Sequence, residues 1–342
     1  MDQRQGDLSF LQIVTDALAE LFLAGDIIEG VVNDLESDPQ FHAEIPQGDL
    51  RRGRGSAEDG PRLSITAGVH GTEYVAQEAA VRVFRDLDPK RVRGAIGFIF
   101  IVNVPGWEAA ETFANPMDGQ NLNRIFPGNT SGTVSFVMAH RVVELLANWG
   151  KWHIDMHGGD ASEWLNPFAI FHRTDKAEVD SVSEQIARLW DTEVIWSMTH
   201  QGGYPGTLVG TLSDRGIPSI VAESGYLSTY HEPEIAVHVN GARNVMRHFG
   251  LLEGKPEFTR SHDPLMMTEN WVAYASRGGV FHPQVKPGDR VQAGQVIALI
   301  KDVFGEVVEE IKSPKTGRVR IQHPRRVVNS GNPVFRGWAN PS

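Results

Sequence analysis

The chain has 342 residues, 41% hydrophobic and 22% charged, with a formal net charge of −11 and no cysteine. This is the composition of a globular protein long enough for one large domain or two. It excludes disulfides and cysteine-held zinc. It also argues against nucleic acid as the main partner, since phosphate binding needs a basic face and the basic residues gather only in short runs such as Arg51-Arg52-Gly53-Arg54.

Residues 8–24 have helical spacing of apolar side chains, and residues 51–60 are polar and glycine-rich, as in a surface loop. The first residues lack a basic segment leading into a clean apolar core, so no signal peptide is expected. No apolar run approaches the roughly 18 residues of a membrane span, and a cytoplasmic location is the default expectation. From residue 63 the texture becomes alternating strands and amphipathic helices. Strands are predicted at 63–69, 95–104, 152–156 and 217–222. Helices are predicted at 73–87, 134–148, 177–190 and 232–249. Such alternation favours an α/β domain with a largely parallel central sheet. Residues 254–270, polar with two prolines, read as a linker. Residues 272–338, rich in valine, glycine and proline, read as a small all-β unit. The expected division is a catalytic domain over 1–255 and a β domain over 270–342.

In open α/β sheets, ligands gather at the carboxyl ends of the strands. His70-Gly71-Thr72-Glu73 directly follows the first predicted strand, and His157 closes His153-Ile154-Asp155-Met156-His157. A histidine and a glutamate three residues apart can turn toward one metal ion. A histidine from another strand end would complete a His2Glu set with one position open, which is the ligand count of a hydrolytic rather than a structural site. The competing reading makes Glu73 a helix-opening carboxylate favoured by the helix dipole and His157 a packed strand-end histidine. Asn121-Leu122-Asn123-Arg124 and Glu223 fall at similar strand ends. The remaining histidines have no ligand-like spacing, with His153 set apart by its nearness to His157.

Four motifs, His70-Gly71-Thr72-Glu73, Asn121-Leu122-Asn123-Arg124-Ile125-Phe126-Pro127-Gly128, Ile154-Asp155-Met156-His157 and Ala222-Glu223-Ser224-Gly225, occur in the order found in one family. The chain resembles the succinylglutamate desuccinylase/aspartoacylase family, relatives of the zinc carboxypeptidases, over about residues 60–250. Its tail also resembles that family's C-terminal β domain. The resemblance implies a mixed sheet flanked by helices plus a small barrel-sandwich-like β domain. It implies one Zn2+ per chain, bound by His70, Glu73 and His157, with Glu223 as general base. Asn123 and Arg124 would hold the substrate's carboxylate. Asp155 is a candidate support behind the ligands. Asn121 stands where other branches carry aspartate, and can still accept a hydrogen bond from a ligand histidine's other ring nitrogen. The implied reaction is zinc-dependent removal of an acyl group from a small N-acyl amino acid or related carboxylated amide. A homo-oligomer is left open.

The family carries an arginine upstream of the Asn-Arg pair, placed to stabilise the oxyanion, yet no arginine occurs between Arg93 and Arg124. The aligned neighbourhood is Thr112-Phe113-Ala114-Asn115-Pro116. Asn115 is either a substitute or a turn residue before proline. This departure motivates the alternative of a catalytically silent metal-binding member. The glycine-rich segment 201–207 resembles a substrate-covering loop. Segments 285–295 and 313–317 resemble biotinyl/lipoyl carrier domains, but the expected tip Asp302-Val303-Phe304-Gly305-Glu306 has no lysine and Lys301 falls on the strand. A structural role for the tail, at the active-site mouth or in an oligomer interface, is therefore expected.

Overall fold

A computed structural model describes residues 60–88, 91–198, 205–259 and 263–339. The helix predicted at 8–24 and all of the 51–60 loop except Gly60 lie outside the described residues. Strands β1 (Arg62–Ala67), β2 (Ala95–Ile99), β3 (Trp152–His157), β4 (Trp164–Leu165), β5 (Phe168–His172), β6 (Val194–Met198), β7 (Ser219–Glu223) and β8 (Leu265–Met267) appear in chain order. Seven of them, all but β4, form one sheet in the order β2-β1-β3-β7-β5-β6-β8. Every neighbouring pair is parallel except β5 with β7, so two parallel blocks meet at one antiparallel junction. This is the mixed sheet that the resemblance implies.

β1, β2, β3 and β5 are buried at nearly every residue because helices cover both faces. Helix α1 (Tyr74–Asp86) places Val75, Ala76, Ala79, Ala80 and Val83 on one stripe. These residues share a core with side chains of α4 (Ala177–Arg188) and α6 (Glu232–His248). On the opposite face, α3 (Val134–Trp149) and α5 (Leu208–Asp214) pack Met138, Val142, Leu146, Leu208 and Leu212 against the sheet. The chain passes from β1 to β2 on one side and returns to β3 on the other. The order therefore reverses at β1, which opens a crevice at the carboxyl ends of β1 and β3.

Two predicted elements end differently. The apolar run 95–104 is a strand only to Ile99. Asn103 caps a short helix α2 (Val104–Glu108), its side chain accepting from Gly106 N at 3.2 Å with Pro105 in the first turn. The linker predicted at 254–270 contains β8, which pairs with β6 at the sheet edge, and Thr268 alone separates it from the next strand. A three-residue edge strand is too short for sequence periodicity to reveal.

The C-terminal strands are β9 (Glu269–Tyr274), β10 (Gly279–Pro283), β11 (Arg290–Val291), β12 (Val296–Lys301), β13 (Val307–Lys312), β14 (Gly317–Gln322), β15 (Val327–Val328) and β16 (Pro333–Ala339). They form two antiparallel sheets, β13-β12-β10-β15 and β11-β14-β16-β9, around Trp271, Phe281, Ile300, Val319 and Phe335. The turn 302–306 joins β12 to β13 with Val303 and Phe304 at its exposed tip, while Lys301 pairs with Val307 in the ladder. β4 adds to the edge of β14, and Leu165, Phe168, Trp196, Ile321 and Trp338 form one core that welds this part to the large sheet. Large side chains buried in this way contribute about 1.5–3 kcal/mol each. Within the weld the Arg320 guanidinium stacks 4.5 Å from the Trp196 ring.

Candidate active site

His70, Glu73 and His157 meet in the β1/β3 crevice, all but fully buried. β1 ends at Ala67, and the following turn carries His70 to Glu73. Gly71 between them lies so close to the Gly106 backbone of α2 that a Cβ there would collide with it. Glu73 occupies the N-cap position of α1, but its side chain makes no cap bond. It reaches the histidines instead: Oε1 is 2.7 Å from His70 Nδ1 and Oε2 is 2.8 Å from His157 Nδ1. One candidate ligand atom from each residue lies within 4.8 Å of the others.

The far side of each ring is also engaged. His70 Nε2 lies 3.2 Å from Asn121 Oδ1, and His157 Nε2 lies 3.0 Å from Asp155 Oδ2. Asp155 in turn accepts from Thr66 Oγ1 at 2.7 Å. With both Nε2 atoms facing acceptors, both Nδ1 lone pairs can converge beside the Glu73 carboxylate. Two imidazole nitrogens and one carboxylate, each ring held by an oxygen behind it, suit a divalent ion such as zinc. Burial alone would raise the Glu73 pKa, but His157 and His70 outweigh it and hold the carboxyl at about 2. Burial opposes charge on His157, yet Glu73 and Asp155 outweigh it and push the imidazole well above its usual pKa. The site is thus strongly polarised, as sites built for charge tend to be.

Glu223 ends β7 as the register partner of His157 on β3. Burial is the largest influence on its carboxyl and raises its pKa well above the usual carboxylate range. His157 opposes this, and the charges of Glu73 and Glu163 add to it. Asn121 Oδ1 also accepts from Asn123 N at 2.9 Å, which fixes the Asn121-Leu122-Asn123-Arg124 turn. Asn123 Oδ1 is committed to Leu208 N at 3.0 Å, so its amide NH2 is the end left for a ligand. Arg124 is exposed and donates from one terminal nitrogen to its neighbour Asn123 O at 2.6 Å. Of the glycine-rich segment, residues 205–207 are described. Gly206, at φ +73°, lies against the Arg124 carbonyl with no room for a Cβ, and its own carbonyl accepts from Phe126 N.

The arginine-free stretch sends a different side chain to the site. Phe113 packs edge-on against His70 at 5.0 Å between ring centroids. Asn115 is a buried turn residue whose Oδ1 accepts from Met117 N at 2.9 Å and whose Nδ2 donates to Met138 Sδ at 3.8 Å, so its amide is engaged at both ends. Phe113 also lines a cavity of about 280 Å3, whose other walls include Glu163, His323, Arg325, Phe335 and Arg336. Arg336 donates to Glu163 at 2.8 Å across 173 residues of sequence. The C-terminal β strands therefore supply one side of the cavity. Sequence reasoning missed Glu163, Arg336 and Asp160, because no spacing ties residues so far apart. Asp160 is fully buried; its Oδ1 accepts from Ser162 N, whereas Oδ2 has no partner among the described residues. Burial, then Glu163, lifts its pKa to about 6.

A mixed α/β sheet with a His/Glu/His cluster at its switch point is a fold with a candidate metal centre where open sheets gather their ligands. Residues 59–249 match the succinylglutamate desuccinylase/aspartoacylase catalytic domain, and the chain belongs to that family. It is 27% identical over 295 residues to the N-alpha-acetyl-L-2,4-diaminobutyric acid deacetylase of Halomonas elongata, covering 85% of this chain and 84% of that protein. A succinylglutamate desuccinylase/aspartoacylase crystal structure from Rhodobacter sphaeroides superposes with a TM-score of 0.75 at 25% identity, over 82% of this chain and 86% of that one. The product-bound ectoine utilization protein EutE (DoeB) of Ruegeria pomeroyi shares the fold, with a TM-score of 0.75 at 22% identity over 82% and 86% of the two chains. Among the described residues no helix is long and apolar enough to cross a membrane.

Proposed function

We propose that this protein is a zinc-dependent amidohydrolase that removes the acyl group from a small N-acyl amino acid, with one Zn2+ held by His70, Glu73 and His157. The observation that carries the reading is the convergence of both His Nδ1 atoms on the Glu73 carboxylate, each ring backed by an oxygen at Nε2. The relative's name supports an N-acetylated diamino acid as the first substrate to try.

An ion held there supplies Lewis acidity, polarising an amide carbonyl and lowering the pKa of water to about 7. Glu223 takes the proton from the attacking water and delivers it to the departing amine, a role suited to a carboxylate whose pKa is raised by burial. The Arg124 guanidinium and the Asn123 amide bind the substrate carboxylate. Asn121 and Asp155 hold the ligand rings in register.

A second reading, a metal-binding member without turnover, is favoured by one observation: Phe113 rather than an arginine meets His70. Loss of an oxyanion donor typically costs about 10²–10³ in rate. Metal analysis of the purified protein, followed by an assay of N-acetyl and N-succinyl amino acids with and without added Zn2+, separates the two. One zinc per chain with zinc-dependent release of free amine supports the enzyme. Bound zinc with no release across the panel supports the silent member.

A further inference from the structure

The large sheet contains a buried polar string that ends at His157 and that the reaction itself does not use. β1 and β3 are in register with Ser64 opposite His153 and Thr66 opposite Asp155. Alternate residues of a strand share a face, so Ser64, Thr66, His153, Asp155 and His157 all project to the same side of the sheet. Ser64, Thr66, His153 and Asp155 are at most 1% exposed. Ser64 Oγ lies 2.9 Å from His153 Nδ1, and His153 Nε2 lies 3.3 Å from Thr66 Oγ1. Thr66 Oγ1 donates to Asp155 Oδ1 at 2.7 Å, and Asp155 Oδ2 faces His157 Nε2 at 3.0 Å.

The direction of the string follows from counting hydrogens. The single hydroxyl hydrogen of Thr66 goes to Asp155, so the contact with His153 requires His153 to donate from Nε2. Its Nδ1 is then an acceptor facing Ser64 Oγ, whose one hydrogen is shared between that nitrogen at 2.9 Å and the Trp152 carbonyl at 3.2 Å. A neutral ring with one hydrogen is what burial produces here, holding the His153 pKa at about 4. From His153 the donor sequence runs through Thr66, with both hydrogens pointing toward Asp155. Asp155 receives the hydrogen of Thr66 on one oxygen and offers the other to His157. For the neutral ring that a metal ion would bind, that arrangement keeps the His157 hydrogen on Nε2 and the lone pair on Nδ1.

We propose that His153 is a positioning residue for the metal centre, acting through Thr66 and Asp155 to fix the orientation and tautomer of His157. It rests on the reading of His157 as a ligand. Partners behind metal-bound histidines are typically worth about 10–100-fold in affinity. His153 is two hydrogen bonds further back than Asp155, and its effect must pass through the Thr66 hydroxyl.

The test is a Zn2+ titration of metal-free protein against a competing chelator, with the visible spectrum of the Co2+-substituted protein as a second readout. His153→Leu and Thr66→Val are each expected to weaken Zn2+ binding by about tenfold and to alter the Co2+ spectrum. His153→Gln, whose amide can donate to Thr66, should restore most of the affinity. The double variant should bind no more weakly than the poorer single variant, because both interrupt one string. Parent-like affinity in the folded single variants, or losses that add in the double, overturns the proposal. Should His153→Leu fail to fold, Thr66→Val, which keeps the side-chain shape, carries the same test. His157→Ala distinguishes the two levels: retention of a full zinc equivalent there would reject the ligand reading itself, whatever the string does.

Discussion

His157 and Glu223 are register partners at the carboxyl ends of adjacent parallel strands, so the sheet itself places a candidate ligand beside a candidate base. Glu223→Gln keeps the shape of the side chain and removes the proton acceptor. It is expected to retain one zinc per chain while kcat falls by about 10²–10⁴. Because burial raises the Glu223 pKa, the acidic limb of the parent's kcat/KM profile should lie above the ordinary carboxylate range. A variant that keeps parent-like turnover would remove Glu223 as the base.

Metal removal tests the cluster as a whole. An ion that binds only the folded chain stabilises it by about 2.7 kcal/mol at a hundredfold excess over its Kd. Chelation should therefore lower the Tm and abolish hydrolysis, with both restored by Zn2+. Glu73→Ala should show neither effect of chelation, because Glu73 bridges both histidines. An unchanged parent Tm after verified metal removal would count against a bound ion.

Arg124 tests how the substrate is held. Its guanidinium is exposed, and one terminal nitrogen donates to the Asn123 carbonyl. Charged hydrogen bonds contribute about 1.5–3 kcal/mol, so Arg124→Ala should raise KM by about 10- to 100-fold. Arg124→Lys should rescue little, since a point charge cannot reproduce a two-pronged bond. An N-acyl amine lacking the carboxylate should bind parent and variant alike; a KM gap that persists with that substrate would reject the assignment.

Asp160 gives a stability prediction with a definite sign. Its folded pKa of about 6 exceeds the usual 3.8, so the folded state holds a proton that the unfolded state has released. Stability from this group is complete below pH 3.8 and is lost as pH rises through about 6. In metal-free protein, Asp160→Asn should match the parent near pH 4 and exceed it by roughly 2–3 kcal/mol at pH 7.5. Denaturant melts at the two pH values decide it, and equal stability at pH 7.5 would refute the shift.

Phe113 is the point at which the enzyme and silent readings diverge. Its ring contacts His70 in the stretch where the family carries an arginine. If a missing oxyanion donor limits the rate, Phe113→Arg should raise kcat by up to about 10²-fold with unchanged zinc content. No gain, with zinc retained, would mean that another group already serves the oxyanion.

The sequence alone carried the alternation of strands and helices from residue 63, because burial on both faces leaves continuous apolar runs and helices leave periodic ones. It also carried the family, because His70-Gly71-Thr72-Glu73 and Asn121-Leu122-Asn123-Arg124 are local motifs. What it could not carry depended on distance. The antiparallel β5–β7 junction, the edge strand Leu265–Met267 and the bond from Arg336 to Glu163 join segments with no shared local pattern. Whether His70, Glu73 and His157 share one point in space was decided by strand order, which turns back at β1 and brings β3 to its side. His153 makes the same point on a smaller scale. In sequence it is one histidine among thirteen; only the register of β1 against β3 shows its ring bonded between Ser64 and Thr66. Local chemistry is written in residue types, but contact between distant residues is set by how the sheet is ordered and registered.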